Sequence, residues 1–322
     1  MRSFRATSRG APWARLLIAV LLVIGRAATA QGNPSSSDGV ESPSIRMNVD
    51  EVVVTFNAID ANGSPVNDLK AGEIRIRDNG LVPKKIVAFD GLVNRSIRVG
   101  ILLDTSESMQ NALPGNKAIA TKFLDRFFRQ NKDAAFVSSF GSNSDSLQSW
   151  TGDLLRLEQG VQMAREQETK GTALFNALFQ MCSSSFNRVD PTETGNFILL
   201  FSDGEDNAGL TSLNNAARAC QRTNTAVFAF LPAGTEDRAS TGPRTLRELA
   251  AKTGGSVFLS DDSAVAIVSD LAQIDSEMRN RYRVVYSPAS LKRDGEFHEI
   301  ELQPPDRVKK VFVRSGYFAP QQ

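Results

Sequence analysis

The sequence Ile101-Leu102-Leu103-Asp104-Thr105-Ser106-Glu107-Ser108 joins an apolar run to three oxygen-bearing side chains at alternate positions. A continuous apolar run is typical of a strand buried on both faces of a parallel sheet. Ligands of open α/β sheets bind beyond the carboxyl ends of such strands, so we expect Asp104, Ser106 and Ser108 in that position. Carboxylate and hydroxyl oxygens suit Mg²⁺, Mn²⁺ or Ca²⁺ better than zinc or copper. The sequence therefore predicts a metal site at the end of a parallel strand.

From Ile97 to about Arg279 the chain alternates strand-like runs with amphipathic helical patterns. Alternation of this kind predicts a doubly wound α/β fold with a mainly parallel, six-stranded sheet. The order of the sheet should reverse beside the first strand, which places Asp104 at the switch point. The strand candidates are Ile97–Leu103, Ala134–Phe140, Ser146–Trp150, Phe197–Phe201, Ala226–Leu231 and Ser256–Leu259.

Two more oxygen-bearing motifs follow along the chain. Lys170-Gly171-Thr172 precedes a helical pattern from Ala173 to Met181, and Ser202-Asp203 directly follows the strand candidate Phe197–Phe201. In this order and spacing, the three motifs resemble the metal-ion-dependent adhesion site of the von Willebrand factor type A family. The resemblance covers about Ser96 to Arg279 and implies the Rossmann-like fold of that family.

The resemblance also implies a role for each residue of the site. Ser106 and Ser108 would bind a divalent cation directly, Asp104 through water, and Thr172 directly or through water, with Asp203 in the second sphere. One position would stay open for an Asp or Glu of a partner protein. Few direct carboxylate ligands leave the ion electron-poor, which favours an external carboxylate. Mg²⁺ is the expected ion, with Mn²⁺ or Ca²⁺ as alternatives.

The chain departs from the family pattern at two positions. Lys170 stands where the family usually has glycine, and Glu107 lies inside the first motif. Glu107 could weaken binding of an acidic ligand or bind the metal, but we expect it to be solvated, with Lys170 compensating its charge. Glu205 and Asp206 are expected to place negative charge at the N-terminus of a helix over Leu210–Ala219, with extra ion ligation as the alternative.

The composition argues against nucleic acid binding and against catalysis. Lys and Arg number 37 and Asp and Glu 36, and no basic stripe appears. His298 is the only histidine, and we expect it on the surface of an edge strand. A phosphatase-like Asp-x-Asp pattern would need a carboxylate at Ser106. The prediction is a protein that is not an enzyme, with a metal-dependent hydrolase as the least favoured alternative.

The first thirty residues have the pattern of a cleaved signal peptide. Four arginines precede the apolar run Leu16–Gly25, and Ala28-Thr29-Ala30 forms a small-residue cleavage site before Gln31. Ten apolar residues are too few to span a bilayer comfortably. We therefore expect residues 1–30 to be removed, residues 31–46 to form a flexible linker, and the mature chain to be periplasmic or secreted without a membrane span.

Cys182 and Cys220 are the only cysteines. In an exported chain they could form a disulfide, since both fall in helical patterns that flank Phe197–Phe201. They could equally be two small buried apolar side chains. The sequence leaves both alternatives open.

Strand-like segments on both sides of the α/β region predict a second, smaller module. Residues 47–94 are expected to form half of a β-sandwich, residues 281–322 to complete it, and residues 95–280 to form the inserted von Willebrand factor type A domain. This layout is similar to a group of exported bacterial proteins related to von Willebrand factor A and frequent in acidobacteria. The turn Asp60–Val66 and the closing Arg314-Ser315-Gly316-Tyr317 carry that narrower resemblance.

The function predicted from these features is an exported, divalent-metal-dependent adhesion or interaction module that binds a partner carboxylate. A structural or assembly protein of the cell envelope with a non-essential metal site is the alternative. The ligand's identity, and whether a helix over Ala264–Met278 shifts to change affinity, stay open.

Overall fold

A computed structural model describes residues 51–167, 170–187, 194–232, 241–260 and 262–321. The expected signal peptide and linker lie outside the described residues. The strands are β1 Val52–Ile59, β2 Arg75–Asp78, β3 Lys85–Leu92, β4 Ile97–Asp104, β5 Ala134–Phe140, β6 Ser144–Thr151, β7 Gly195–Phe201, β8 Thr225–Leu231, β9 Val257–Leu259, β10 Arg281–Ser287, β11 Phe297–Gln303, β12 Lys310–Val313 and β13 Gly316–Phe318. The α-helices are α1 Leu113–Phe127, α2 Leu154–Met163, α3 Leu174–Gln180, α4 Leu213–Arg222, α5 Thr241–Thr253 and α6 Ala264–Arg279.

The largest sheet has six strands in the order β6-β5-β4-β7-β8-β9. All neighbours run parallel except β6, which pairs antiparallel with β5 at one edge. The prediction of a mainly parallel, six-stranded sheet is confirmed. Because β5 and β7 lie on opposite sides of β4, the strand order reverses at β4, and its carboxyl end lies at the switch point.

Helices cover both faces of this sheet, which is why β4, β7 and β8 are apolar almost throughout. On one face, α1 and α6 bury apolar side chains such as Phe123 and Ile274. On the other, α3, α4 and α5 bury a second set that includes Leu178 and Leu246. Among the described helices, none combines the length and the hydropathy needed to span a bilayer.

A disulfide joins Cys182 to Cys220. Cys182 lies in a π-helical segment, Met181–Ser185, that continues α3, and Cys220 lies in α4. Both residues are fully buried in the core between these helices and the sheet. The bond therefore links the two segments that follow the Thr172 and Asp203 motifs.

Two antiparallel sheets built from the two ends of the described chain form the second module. One has the order β12-β1-β10-β3, and the other the order β13-β11-β2. Their facing side chains form one core, which includes Phe56, Ile76, Tyr286 and Ile300. The predicted sandwich of N- and C-terminal strands is thus present, while the domain boundaries at 94/95 and 280/281 remain a prediction.

The expectation that His298 is a surface residue was wrong. Its side chain is buried, with 5% of the residue exposed, and Nδ1 lies 3.0 Å from Asp78 Oδ1. The reason is the position of β11, which lies between β13 and β2 and is therefore the central strand of its sheet. The hydroxyls of Tyr286 and Tyr317 also donate to Asp78, at 3.0 and 2.8 Å, so this buried carboxylate has three partners.

Arg279, the last residue of α6, anchors the helix to the opposite end of the sheet from Asp104. Its guanidinium donates to both carboxylate oxygens of Asp133, at 3.0 and 2.7 Å, and to Asp275 at 2.7 Å. It also donates to the carbonyls of Arg95 and Phe127. All three nitrogens of this buried guanidinium therefore donate hydrogen bonds. Asp133, a buried carboxylate, has Arg279 as its main counter-ion.

Glu277 is a second buried charge of α6, but its environment is different. Gln273 donates to its Oε1 at 2.7 Å, while Oε2 has no hydrogen-bond partner. Burial raises the pKa of Glu277 from 4.5 to about 7, although Lys310 and Arg281 attract the charged form. The folded state therefore stabilises the protonated, uncharged form of Glu277 relative to its carboxylate.

We expect Glu277 to make stability fall as pH rises. Between pH 4.5 and about 7, the folded state holds a proton at Glu277 that the unfolded state has lost, so the unfolding free energy falls across this window and stays low above it. Glu277→Gln, which keeps the bond from Gln273, should raise stability by roughly 3 kcal/mol at about pH 8 and by little at about pH 4. Urea titrations of both proteins at the two pH values measure this. An equal effect at both would contradict it.

Candidate metal centre

The first and third oxygen-bearing motifs lie side by side at the carboxyl end of the large sheet. β4 and β7 are parallel neighbours, with Leu103 opposite Phe201, so Asp104 and Ser202 are the next residues in register at the same edge. This adjacency follows from strand order alone, because parallel neighbours end at one edge of a sheet.

Asp104 is the fully buried acceptor at the base of the site. Its Oδ1 accepts from the backbone N–H of Ser106 at 3.0 Å and from the Ser106 hydroxyl at 2.6 Å, and its Oδ2 accepts from the Ser202 hydroxyl at 2.7 Å. Burial raises the pKa of Asp104 to about 6, and the nearby charge of Asp203 acts in the same direction. A bound cation would offset both effects, because it stabilises the charged carboxylate.

Asp203 accepts the Ser108 hydroxyl at 2.6 Å and the backbone N–H of Glu205 at 3.1 Å. The Ser106 and Ser108 hydroxyl oxygens lie 3.3 Å apart. Each serine therefore donates its single hydroxyl proton to a carboxylate, Ser106 to Asp104 and Ser108 to Asp203, and the two hydroxyl oxygens lie next to each other with no proton between them. Ser108 is exposed while the other three are buried, so the cluster opens to solvent at Ser108.

The second motif lies between the loops that follow β5 and β7. Thr172 donates its N–H to Asn207 Oδ1 at 2.8 Å, and its carbonyl accepts from the N–H groups of Asn207 and Ala208. Ala173 donates its N–H to the carbonyl of Gly141, which follows β5. These hydrogen bonds hold the backbone of the buried Thr172 beside the loop that contains Asp203.

Lys170 and Glu107 lie at the solvent side of the cluster. Lys170 Nζ is 4.0 Å from Glu107 Oε2, and their side chains are 89% and 72% exposed. An exposed pair at this distance contributes little to stability. The pair places one positive and one negative charge at the rim of the site, so the two side chains together add no net charge there.

Gly204 lets the Asp203 loop approach the start of α5 closely. It has φ +85°, and a Cβ there would lie 2.3 Å from the carbonyl oxygen of Gly242. A Cβ on Gly242 would lie 2.2 Å from the carbonyl oxygen of Asp203. Only two glycines permit this contact of two backbones, which holds Asp203 in place.

The predicted role of Glu205 and Asp206 at the start of the next helix was wrong. That helix, α4, begins at Leu213, where Ser212 accepts from the N–H of Asn215. Glu205 instead accepts the N–H of Gly242 at the start of α5, at 3.0 Å, and Asp206 accepts that of Phe175 at the start of α3, at 3.3 Å. The acids do lie at helix N-termini, but the fold brings those helices from distant parts of the sequence.

Two residues of the site were not identified from the sequence. Ser202 joins Asp104 to the loop, because its hydroxyl donates to the carboxylate and accepts the N–H of Gly204 at 3.0 Å. Its signal was its place directly after a predicted buried strand, Phe197–Phe201, in the position that Asp104 has after its own strand. Asn207, which holds the backbone of Thr172, carries no comparable signal, since its role depends on the loop's conformation.

The donor set fits a hard divalent cation. The residues that could hold it are the hydroxyls of Ser106, Ser108 and Thr172 and the carboxylates of Asp104 and Asp203, all oxygen donors. Across residues 51–321, leaving out the undescribed gaps, no group of three His, Cys, Asp or Glu side chains could hold a metal. A cation here would therefore depend on hydroxyl ligands.

The segment that contains these residues matches a known family. Residues 99–205 match the family model of the von Willebrand factor type A domain. No curated protein matches the chain in sequence. Among solved structures, the chain is similar to the conserved hypothetical protein BatB from Bacteroides thetaiotaomicron, at 19% identity and a TM-score of 0.46, over 56% of this chain and 97% of that one.

Two further solved structures are similar to part of the chain. An aerotolerance-related membrane protein from Bacteroides fragilis is 20% identical with a TM-score of 0.45, over 56% of this chain and 99% of that one. Proximal thread matrix protein 1 from the mussel byssus, in a structure with a zinc-occupied MIDAS motif, is 13% identical with a TM-score of 0.47, over 61% of this chain. The match spans half the length of the mussel protein.

Proposed function

We propose that the chain is an exported protein-binding module that uses a divalent cation to bind a carboxylate of its partner. The observation that carries the proposal is the pair of adjacent Ser106 and Ser108 hydroxyl oxygens, oriented by Asp104 and Asp203 at the carboxyl end of β4 and β7. It lies within the segment that matches the von Willebrand factor type A domain.

In this proposal each residue has a distinct role. Ser106, Ser108 and Thr172 supply hydroxyl ligands, while Asp104 and Asp203 orient those hydroxyls and neutralise the ion from further out. A cation with few direct carboxylate ligands keeps strong affinity for an external Asp or Glu. The ion is Mg²⁺ first, with Mn²⁺ or Ca²⁺ as alternatives.

We further propose that the protein is not an enzyme. The single histidine of the sequence, His298, is buried in the sandwich, where it contacts Asp78 and Tyr317. Asp104 accepts hydrogen bonds from two serines and has no base beside it among the residues contacting it. Hydrolysis through an aspartate needs a general acid or base nearby to protonate the leaving group and to activate water.

An exported location agrees with the disulfide. Bonds such as Cys182–Cys220 persist in oxidising compartments and are rare in the cytosol. Together with the arginines and apolar run of residues 1–30, this favours removal of a signal peptide near Ala30–Gln31 and a periplasmic or secreted location.

Calorimetric titration of the purified chain with Mg²⁺ and Mn²⁺ tests the metal site. We expect one cation per chain, and affinity reduced at least about tenfold in both Asp104→Ala and Ser108→Ala, because the first removes the carboxylate that orients Ser106 and the second removes a proposed ligand. Ser108 is exposed, so its loss should not unfold the protein. Ser149→Ala, an exposed serine on β6, is the matched control and should bind like the wild type.

Equal affinity in wild type and both site variants would contradict the assignment.

Affinity capture from envelope extracts, with and without chelator, tests for the partner. We expect the wild-type chain to retain a protein that EDTA releases. Ser108→Ala should not retain that protein. Retention unaffected by EDTA would overturn the metal-dependent part of the proposal.

A further inference from the structure

A cleft of about 190 Å³ lies between α4 and the sandwich, away from the metal centre. Three arginines line it: Arg218 and Arg222 on α4, and Arg314 between β12 and β13. We call this the arginine cleft. Val53 of β1 and Phe318 of β13 also line it, so both modules of the fold contribute to its walls.

Two of these guanidinium groups have donors without partners. The Nε atoms of Arg218 and Arg314 are buried and form no hydrogen bond. Each arginine donates once to a backbone carbonyl, Arg218 to Gly295 at 2.8 Å and Arg314 to Val53 at 2.7 Å. Among the described residues, no carboxylate lies within 4.0 Å of either group, so their charge is not paired.

The contrast with Arg279 is informative. Arg279 is buried, but two carboxylates and two carbonyls accept from it. A guanidinium that is half-buried without a counter-ion is unfavourable, and burial lowers the pKa of Arg314 to about 10. Glu51 also lines the cleft, which leaves three cations facing one acid. The cleft therefore favours an additional anion.

The remaining walls indicate what kind of anion would fit. Leu291, Phe318 and Pro320 give the cleft an apolar part of its lining. The guanidinium carbon of Arg218 lies 4.4 Å from the centre of the Phe318 ring, which fixes its orientation. Gln221 holds β13 in place through bonds to the carbonyl of Gly316 and the N–H of Phe318. The cation and the apolar wall are thus held side by side.

We propose that the arginine cleft binds a small carboxylate with an apolar stem, independently of the metal centre. A carboxylate matches the planar donor geometry of guanidinium groups. The stem would contact Leu291, Phe318 and Pro320, and the volume of the cleft limits it to a short aliphatic or aromatic group.

Calorimetric titration of the full chain with sodium hexanoate tests this, with hexanol and inorganic phosphate as probes that lack either the charge or the stem. We expect saturable binding of hexanoate and at least about tenfold weaker binding of both other probes. Arg314→Gln and Arg218→Gln should each weaken hexanoate binding by about tenfold or more. Arg247→Gln, an exposed arginine on α5 outside the cleft, is the matched control and should bind like the wild type.

The midpoint of urea denaturation shows whether each arginine variant is folded, and two variants are used in case one of them is not. Absence of hexanoate binding to the wild type would overturn the proposal, and so would binding that neither folded variant weakens. Phosphate binding as tight as hexanoate binding would overturn the assignment of an apolar stem. Titrations in EDTA should give the same affinity, and a loss there would mean that hexanoate binds at the metal centre instead.

Discussion

Arg279→Met is expected to lower the free energy of unfolding by about 3 to 5 kcal/mol, because it leaves the buried carboxylate of Asp133 without its main counter-ion. Asp133 would keep the N–H groups of Ile97 and Arg129 and a 3.5 Å contact with the Arg129 guanidinium, which is not enough to replace two short charged bonds. Methionine preserves the length and apolar stem of the side chain, so the change reports the lost interactions.

Urea denaturation of the wild type and the variant measures this effect, and Arg283→Met is the matched control. Arg283 donates twice to Asp90, but both side chains are partly exposed, so we expect a loss of about 1 kcal/mol or less. Similar losses in the two variants would show that Asp133 does not depend on Arg279.

Gly204→Ala is expected to cost about 3 to 4 kcal/mol and also to weaken metal binding. A Cβ at this position meets the carbonyl group of Gly242, which is backbone and cannot rotate away, and Cγ of Leu246 at 2.8 Å. Relief of the clash requires the loop to move, and Asp203 is its preceding residue. Thermal or urea unfolding measures the first effect and Mn²⁺ titration the second.

Gly63→Ala separates the two causes of that loss. Gly63 has φ +78°, close to that of Gly204, but a Cβ there would contact nothing within 4 Å. Its cost should be only that of the left-handed backbone, about 1 kcal/mol. If both variants lose the same stability, the close approach of the Asp203 loop to α5 does not matter.

The fold class could be predicted because its signals are local and strong. β4 and β7 are buried on both faces, so each appears in the sequence as an unbroken apolar run with polar residues at its end. The rule that parallel neighbours end at one edge then brings Asp104 and Asp203 together without any knowledge of loops.

Features set by tertiary contacts could not be predicted in this way. The burial of His298 depends on which strands lie beside β11, and the alternation of its residues is the same at an edge and in the centre. Glu205 and Asp206 precede one helix in sequence but contact the starts of two others. In both cases the residue can be singled out from the sequence, but its contacts cannot be predicted because the partners lie far away along the chain.

The interleaved strands of the sandwich have a consequence for how the protein is made. Val52 of β1 pairs with Tyr286 of β10, and Phe56 pairs with Val313 of β12. At about 5–20 residues per second, β1 leaves the ribosome about 10 to 50 s before its first partner exists. All strands of the large sheet are made before β10, so the sandwich is the last part of the fold that can be completed. Premature termination before β10 would therefore release a chain in which the apolar strand β1 has no partner, a state prone to aggregation.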